Sequence, residues 1–156
     1  MSGETAKLAE SGLLQARVIC AAFLVGVLVY AALAVALADG QLAEPSPISG
    51  LLFIIWLAVA VAGSLGWMFL WRRATDMSAS RREILEGRVG PERLLRLLIV
   101  AWALLEAIGI FGATVYLLTG RREVLVLSVL VVAAGTALSF PRSEWFAPFR
   151  GRTPSG

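Results

Sequence analysis

The sequence predicts an all-α integral membrane protein with four transmembrane helices, arranged as two hairpins. Two properties of the chain predict this class. Of its 156 residues, 58% are hydrophobic and only 16% are charged, whereas soluble proteins carry about 25% charged residues. The apolar residues also form four long stretches, and a helix needs about 20 mostly apolar residues to cross a bilayer. At this length we expect one domain, residues 1–156.

Each predicted span lies between polar or helix-breaking residues. The first lies between Arg17 and Asp39, the second follows a Pro-Ser-Pro turn, and Pro141 ends the fourth. The predicted spans are residues 18–38, 48–71, 91–118 and 124–140, and the fourth is the shortest. The small residues at the end of the first span also fit a signal-peptide cleavage site. Its apolar region is longer than a signal peptide needs, so we predict a retained span.

The arginines predict the orientation, because basic loops stay on the cytoplasmic side. The predicted loop 72–90 and the start of the third span are basic, with Arg72, Arg73, Arg81, Arg82, Arg88, Arg93 and Arg96. The loop after the first span is acidic. Arg121 and Arg122 oppose this pattern but are outnumbered, so both termini are expected in the cytoplasm. The predicted lipid-interface residues on that side are Trp67, Trp71, Trp145, Arg72 and Arg73.

The Arg-rich loop has two interpretations. Ser80 and Glu83 have the spacing of a capping box, and Gly87 can end a short helix. Such a helix would lie on anionic lipid, or it would form a docking surface for a partner. The abundance of arginine beside a single lysine, Lys7, is typical of a GC-rich genome and fits a bacterial inner membrane.

Several functional classes are disfavoured by residues that the chain lacks. It has no histidine and no asparagine, and its one cysteine, Cys20, lies in an apolar run. We therefore predict no metal site, no cofactor and no enzymatic activity. The net charge of +3 arises mainly from the arginines that set orientation, so nucleic acid is not an expected partner. The expected partners are the lipid bilayer and other membrane subunits or further copies of this chain.

Small residues recur at helical spacing on the second and third spans. Such residues let helices approach closely, inside one chain or between chains. The predicted helix-packing residues are Ala58, Ala62, Gly66, Gly109, Gly112 and Ala113. The first and third spans also align, with Val25 opposite Glu106, so the chain could consist of two related hairpins.

Beyond the charged first turns of the third span, Glu106 is the one acidic or basic residue inside the predicted spans. It lies 15 positions after Pro91, roughly 20 Å along a helix and so near the bilayer centre. An unpaired carboxylate there is costly, and no lysine or arginine lies at that depth to pair with it. Glu106 is therefore a proton-binding site, or a neutral acid in a fixed hydrogen bond. The predicted partners for such a bond are Thr114, Ser128, Thr136, Ser64 and Ser139.

The segment around Glu106 resembles a known family. Ala103 to Gly112, with the sequence Ala-Leu-Leu-Glu-Ala-Ile-Gly-Ile-Phe-Gly, is similar to the carboxylate helix of the proteolipid, subunit c, of rotary F-type and V-type ATPases. The resemblance implies a four-span fold, assembly into a ring, and ion binding at Glu106. It implies protons rather than sodium, because Ala107 follows the glutamate and the spans contain no glutamine. The long Arg-rich loop and the sparse glycines of the second span differ from the family.

Two functions follow from these observations as hypotheses. In the first, the chain is a proteolipid-like subunit whose Glu106 binds a proton within a larger membrane assembly. In the second, it is a structural or assembly subunit without a transport role. The two hypotheses differ in what Glu106 contacts, since only the second requires a permanent hydrogen bond.

Overall fold

In the computed structural model, which describes residues 2–38, 48–79 and 91–149, the chain is all-helical, and these residues hold no strand. The elements in chain order are α1 (Ser2–Ala38), α2 (Ser49–Ala79), α3 (Pro91–Thr119), α4 (Arg122–Leu138), the one-turn helix α5 (Ser143–Phe146) and the 3-10 turn η1 (Ala147–Phe149). Three segments of the described helices are long and apolar enough to cross a membrane. They are Glu10–Ala38, Ser49–Asp76 and Glu92–Thr119.

Two helices extend beyond the predicted spans. Helix α1 begins at Ser2, well before the predicted start at residue 18. Helix α2 continues to Ala79, so residues 72–79, predicted as loop, are helical. No glycine or proline interrupts this stretch, which explains why the helix continues. The other part of the predicted Arg-rich loop lies outside the described residues, with its Ser80–Glu83 capping pair and with Arg81, Arg82 and Arg88.

The fourth predicted span is a helix, but a short one. Helix α4 has 17 residues, about 25 Å at 1.5 Å per residue, whereas the hydrocarbon core is about 30 Å thick. It is therefore not one of the three described segments that are long enough to cross a membrane by themselves.

Helix α3 is the centre of the molecule. It packs along α1, α2 and α4, whereas α1 and α2 barely touch each other. It runs parallel to α1, since Cys20 lies in one apolar cluster with Leu98 and Ala34 lies in another with Ala113. It runs antiparallel to α2 and α4. The side chains of α3 are consequently shared among three neighbouring helices.

The basic end of the molecule, which holds Arg17, Arg72, Arg93 and Arg142, is closed by the C-terminal segment. Phe146 and Phe149 of this segment are 0% and 4% exposed. They join one apolar cluster with Leu13 of α1 and Leu98 of α3. Arg17 also donates from Nε to the carbonyl of Pro141, at 3.4 Å. Helices α5 and η1 therefore tie α1 to the end of α4.

The opposite end is closed by a two-residue turn between α3 and α4. Gly120 has a φ of 69° and donates its N–H to the carbonyl of Tyr116, a helix ending that favours glycine. Arg121, the next residue, places its guanidinium 5.2 Å from the ring centroid of Phe53 in α2. This cation–π contact gives the arginine a partner on the side where the sequence pattern disfavours positive charge.

Candidate functional site around Glu106

Glu106 lies on the seam between α1 and α3, near the middle of the central helix. Its side chain is half-buried. The residue opposite is Gly26 of α1, where an added Cβ would lie only 3.2 Å from Glu106 Oε1. On α3, Ala103 and Ala107 are exposed, while Gly109 is buried. The carboxylate thus lies where the packed face of α3 meets its outer face.

The described residues give the Glu106 carboxylate no hydrogen bond and no ion pair. Three of the hydroxyls predicted as its partners bond elsewhere. Ser128 accepts from Trp56 Nε1 at 2.9 Å, and Ser139 accepts from Trp102 Nε1 at 3.1 Å. Thr114 donates to the carbonyl of Ile110 at 2.9 Å. The other two candidates, Ser64 on α2 and Thr136 on α4, likewise form no hydrogen bond with Glu106 in the described structure.

One polar contact crosses the seam beside Glu106. The hydroxyl of Tyr30 in α1 lies 3.3 Å from Thr114 Oγ1 in α3. The single proton of Thr114 goes to the Ile110 carbonyl, so Tyr30 is the donor in this pair. The bond holds the tyrosine ring against the seam, one turn along α1 from Gly26.

Gly112 marks the closest approach of three helices. Trp56 of α2 reaches past it to Ser128 of α4. A Cβ at Gly112 would overlap the Ser128 side chain and lie 3.1 Å from Trp56 Nε1. A glycine is required here, because no other residue leaves room for this hydrogen bond.

The predicted helix-packing residues lie in two different settings. Gly109, Gly112 and Ala113 of α3 are buried. Gly66 of α2 is half-buried, with its Cβ position 3.1 Å from Leu104 Cδ1. Ala58 and Ala62, in contrast, lie on the exposed face of α2. The small residues of α3 therefore serve the interior, whereas two of those on α2 face outward.

Ser139 forms a polar junction that the sequence did not indicate. Its hydroxyl accepts from Trp67 Nε1 at 3.4 Å and from Trp102 Nε1 at 3.1 Å, and it donates to the Gly135 carbonyl at 2.7 Å. One hydroxyl thereby uses its donor and both acceptor positions. The junction links α2, α3 and the end of α4. The only sequence feature that could have suggested this junction is that tryptophans and serines occur at similar depths of the predicted spans.

The predicted lipid-interface residues differ in their surroundings. Arg72 and Arg73 are exposed. Trp67 is only 9% exposed and faces the interior rather than lipid, because Ser139 offers its N–H an acceptor. Trp71 stacks on Trp67 with ring centroids 5.7 Å apart, and its buried Nε1 has no hydrogen-bond partner in the described structure. Trp145 is half-buried against the apolar cluster of the basic end.

Metal-binding side chains do not gather in the described part of the chain. No group of three or more Cys, Asp or Glu residues there could hold a metal ion. Cys20 is a free, buried cysteine within the apolar cluster of the basic end. Glu106 is therefore the residue on which a functional argument rests.

Comparisons with known proteins assign no family to the chain. No family model, no curated protein and no solved structure matches it. The resemblance around Glu106 accordingly stays a hypothesis.

Proposed function

We propose that this protein is a small polytopic membrane subunit whose Glu106 takes up and releases a proton within a larger membrane assembly. The observation that carries the proposal is a half-buried, unpaired carboxylate in the middle of the central helix. Because no described residue holds this carboxyl group in a hydrogen bond, it can lose its proton when water or a cation approaches.

The neighbouring helices place no charge beside this site. The nearest titratable side chains along these helices are Cys20, six residues before Gly26, and Tyr30, four residues after it, on α1, and Tyr116, ten residues after Glu106, on α3. Residues 52–70 of α2 and 124–139 of α4 contain no acidic or basic side chain. These parts of the neighbouring helices therefore offer Glu106 no fixed counter-charge, so a proton or cation would have to come from outside the helices. The likeness to subunit c supports the same function, without extending to a ring.

In this proposal the chain crosses a bacterial inner membrane four times, with both termini and the basic end in the cytoplasm. The excess of arginine at that end supports the orientation. Helix α4 lies along α3 from Ser128, beside Gly112, to Gly135, beside Leu105. That alignment supports a crossing at the same depth, with the bilayer locally thinned around the shorter helix.

A structural or assembly subunit is the second candidate. The observation that favours it is the exposure of α2, of whose most apolar window only 11% is buried inside the chain. The small residues Ala58 and Ala62 lie on that exposed face. Such a face suits packing against another subunit, with or without proton exchange.

The first test is chemical labelling of Glu106. A hydrophobic carbodiimide reacts with protonated carboxyl groups in apolar surroundings, so one adduct on the purified protein is expected, declining as pH rises. Intact-protein mass spectrometry measures its extent. Glu106→Gln should abolish the adduct while leaving the elution profile in mild detergent unchanged.

Glu123→Gln is the matched control, since Glu123 is exposed in the first turn of α4. This variant should label as the wild type does. An adduct of equal extent in Glu106→Gln, or labelling that does not vary with pH, would contradict proton exchange and favour the structural candidate.

A further inference from the structure

A groove between α1 and α4 lies open on the outside of the molecule. Each of these helices packs more extensively on α3 than on the other, and a space of about 350 Å³ lies between them. That volume falls within the range of ligand pockets in proteins, about 300–1,000 Å³. Its walls consist only of leucine, valine and alanine side chains. The groove therefore suits an apolar occupant.

The α1 wall of the groove is one face of that helix. Leu28, Ala31, Ala32 and Val35 line it, and their spacing of i, i+3, i+4 and i+7 places them on the same side of α1. The two alanines in the middle carry only methyl groups, so they leave the space that larger side chains would fill. This wall lies in the half of α1 that ends at Ala38, so the groove belongs to the end of the molecule opposite the basic end.

The α4 wall of the groove leads to a charge. Val126 and Val129 line the groove, and Arg122 precedes them by four and seven residues, so it lies on the same face of α4, about one turn beyond the groove. Arg122 is exposed, and no described residue forms an ion pair with it. Its neighbour Arg121 instead contacts the ring of Phe53 in α2. The groove thus ends at an arginine without a counter-charge in the described part of the chain.

A bilayer supplies molecules that match both the groove and the arginine. Acyl chains are as apolar as leucine, so they fill the groove without loss of contacts but give no preference for one lipid over another. Selectivity has to come from the headgroup, and a guanidinium pairs well with a phosphate. The adjacent Glu123 lies about 100° further around α4, away from the groove face. An anionic phospholipid therefore matches this site better than a zwitterionic one.

We propose that the groove between α1 and α4 holds one acyl chain of an anionic phospholipid, whose phosphate pairs with Arg122. The inference goes beyond the proposed function, because it requires α4 to lie at membrane depth but requires no proton exchange at Glu106. It gives Arg122 a counter-charge at the end of the molecule where the sequence pattern disfavours arginine.

The test is native mass spectrometry of the full chain in detergent, with added phosphatidylglycerol or phosphatidylcholine of identical acyl chains. We expect one molecule of phosphatidylglycerol to bind more tightly than phosphatidylcholine. Arg122→Gln should lower the affinity for phosphatidylglycerol about fivefold, equivalent to the ~1 kcal/mol that one basic residue contributes at an anionic membrane surface. Arg121→Gln is the matched control, because it removes the same charge from the side chain that contacts α2, and it should bind as the wild type does.

A second pair of variants tests the groove itself. Ala32→Phe should fill the groove and weaken the binding of both lipids, whereas Ala58→Phe, on the exposed face of α2, should leave binding unchanged. Both alanines are exposed, so neither change overpacks the interior. Thermal unfolding of each variant separates a filled groove from a misfolded chain.

Equal affinity of the wild type for the two lipids would overturn the inference, as would equal losses in Arg121→Gln and Arg122→Gln. If Ala32→Phe dissociates a dimer in mild detergent and leaves lipid binding unchanged, the groove holds a second copy of the chain and the lipid assignment is wrong. Glu106→Gln should bind phosphatidylglycerol as the wild type does, so the lipid site and the proton site fail separately.

Discussion

Gly112 shows how much one residue decides in this protein. Its missing side chain lets Trp56 and Ser128 meet across the central helix. In hydrocarbon, an indole N–H without an acceptor is costly, so this contact does more than fill space. Glycine is therefore required at this position because Trp56 and Ser128 leave no room for a side chain, and not because of its backbone conformation.

We expect Gly112→Ala to lower the free energy of unfolding by about 1–3 kcal/mol, since the new methyl group must displace Ser128 or Trp56. Titration with a denaturing detergent, followed by tryptophan fluorescence, measures this.

The matched control is Gly50→Ala in the first turn of α2, where nothing lies within 4 Å of the added Cβ. It should leave stability unchanged or raise it by up to about 1 kcal/mol. Adding Ser128→Gly to the Gly112→Ala variant should recover part of the loss, because it removes the overlapping side chain. A strictly additive double variant would argue against the steric explanation.

Glu106 itself was predictable, because it is the one charge within an apolar stretch. Its surroundings were not. The sequence offers five hydroxyls as possible partners, and only the relative positions of the helices show that Thr114, Ser128 and Ser139 bond elsewhere. Similarly, no pattern in the sequence indicated that Gly26 lies opposite the carboxylate. A shift of one residue along a helix changes which side chain faces the seam.

At the scale of helices, two tryptophan–serine bonds position α2 against α4. Trp56 and Trp67 are eleven residues apart on α2, and their acceptors Ser128 and Ser139 have the same separation. Eleven residues are about three helical turns, so both pairs lie on matching faces. These two helices make little direct contact otherwise, since α3 lies between them.

We expect Ser139→Ala to be more destabilising than Ser128→Ala. The first change leaves two buried indole N–H groups without an acceptor, those of Trp67 and Trp102, whereas the second leaves one. Each unpaired group costs about 1–3 kcal/mol in water-soluble proteins, and less in a bilayer. Unfolding titrations of both variants measure the difference.

Ser143→Ala is the control, because Ser143 is exposed at the start of α5. If Ser139→Ala loses no more stability than Ser128→Ala, then Ser139 is not a shared acceptor. Combining Ser139→Ala with Trp67→Phe should cost less than the sum of the single changes, since the second change removes one of the unpaired donors.

Helix positions along the chain followed from apolar runs and from proline and glycine. The sequence could not show that α3 is central, because all the predicted spans are similarly apolar. It also understated α1 and α2, since polar residues beyond the membrane do not end a helix. Apolar content reports where a helix meets lipid, whereas caps and breakers decide where it stops.

At the scale of the whole molecule, the side of the membrane on which the C-terminal segment lies depends on whether α4 crosses. With 17 residues it is shorter than the other long helices, yet it packs along α3 from Leu125 to Gly135. If α4 crosses the membrane, the C-terminal segment lies on the same side as the start of α1. The contact between the two fits this, since Phe146 Cε1 lies 3.6 Å from the position that a Cβ on Gly12 would take.

We expect a fluorescent-protein fusion after Gly156 to fluoresce in cells, because fluorescence requires a cytoplasmic C-terminus. An alkaline phosphatase fused at the same position should be inactive, since this enzyme needs an oxidising compartment. The control is phosphatase inserted after Gln41, which should be active. The reverse result at Gly156 would mean that α4 does not cross.

The closing of the basic end by Phe146 and Phe149 has a consequence for biosynthesis. Chains are made from the N-terminus, so α1 leaves the ribosome before these two rings do. Until then the side chain of Leu13 and the surface at Gly12 lack the aromatic cover that they have in the finished protein. The order of synthesis therefore makes the docking of Phe146 and Phe149 on α1 a late step, which follows the synthesis of all four long helices.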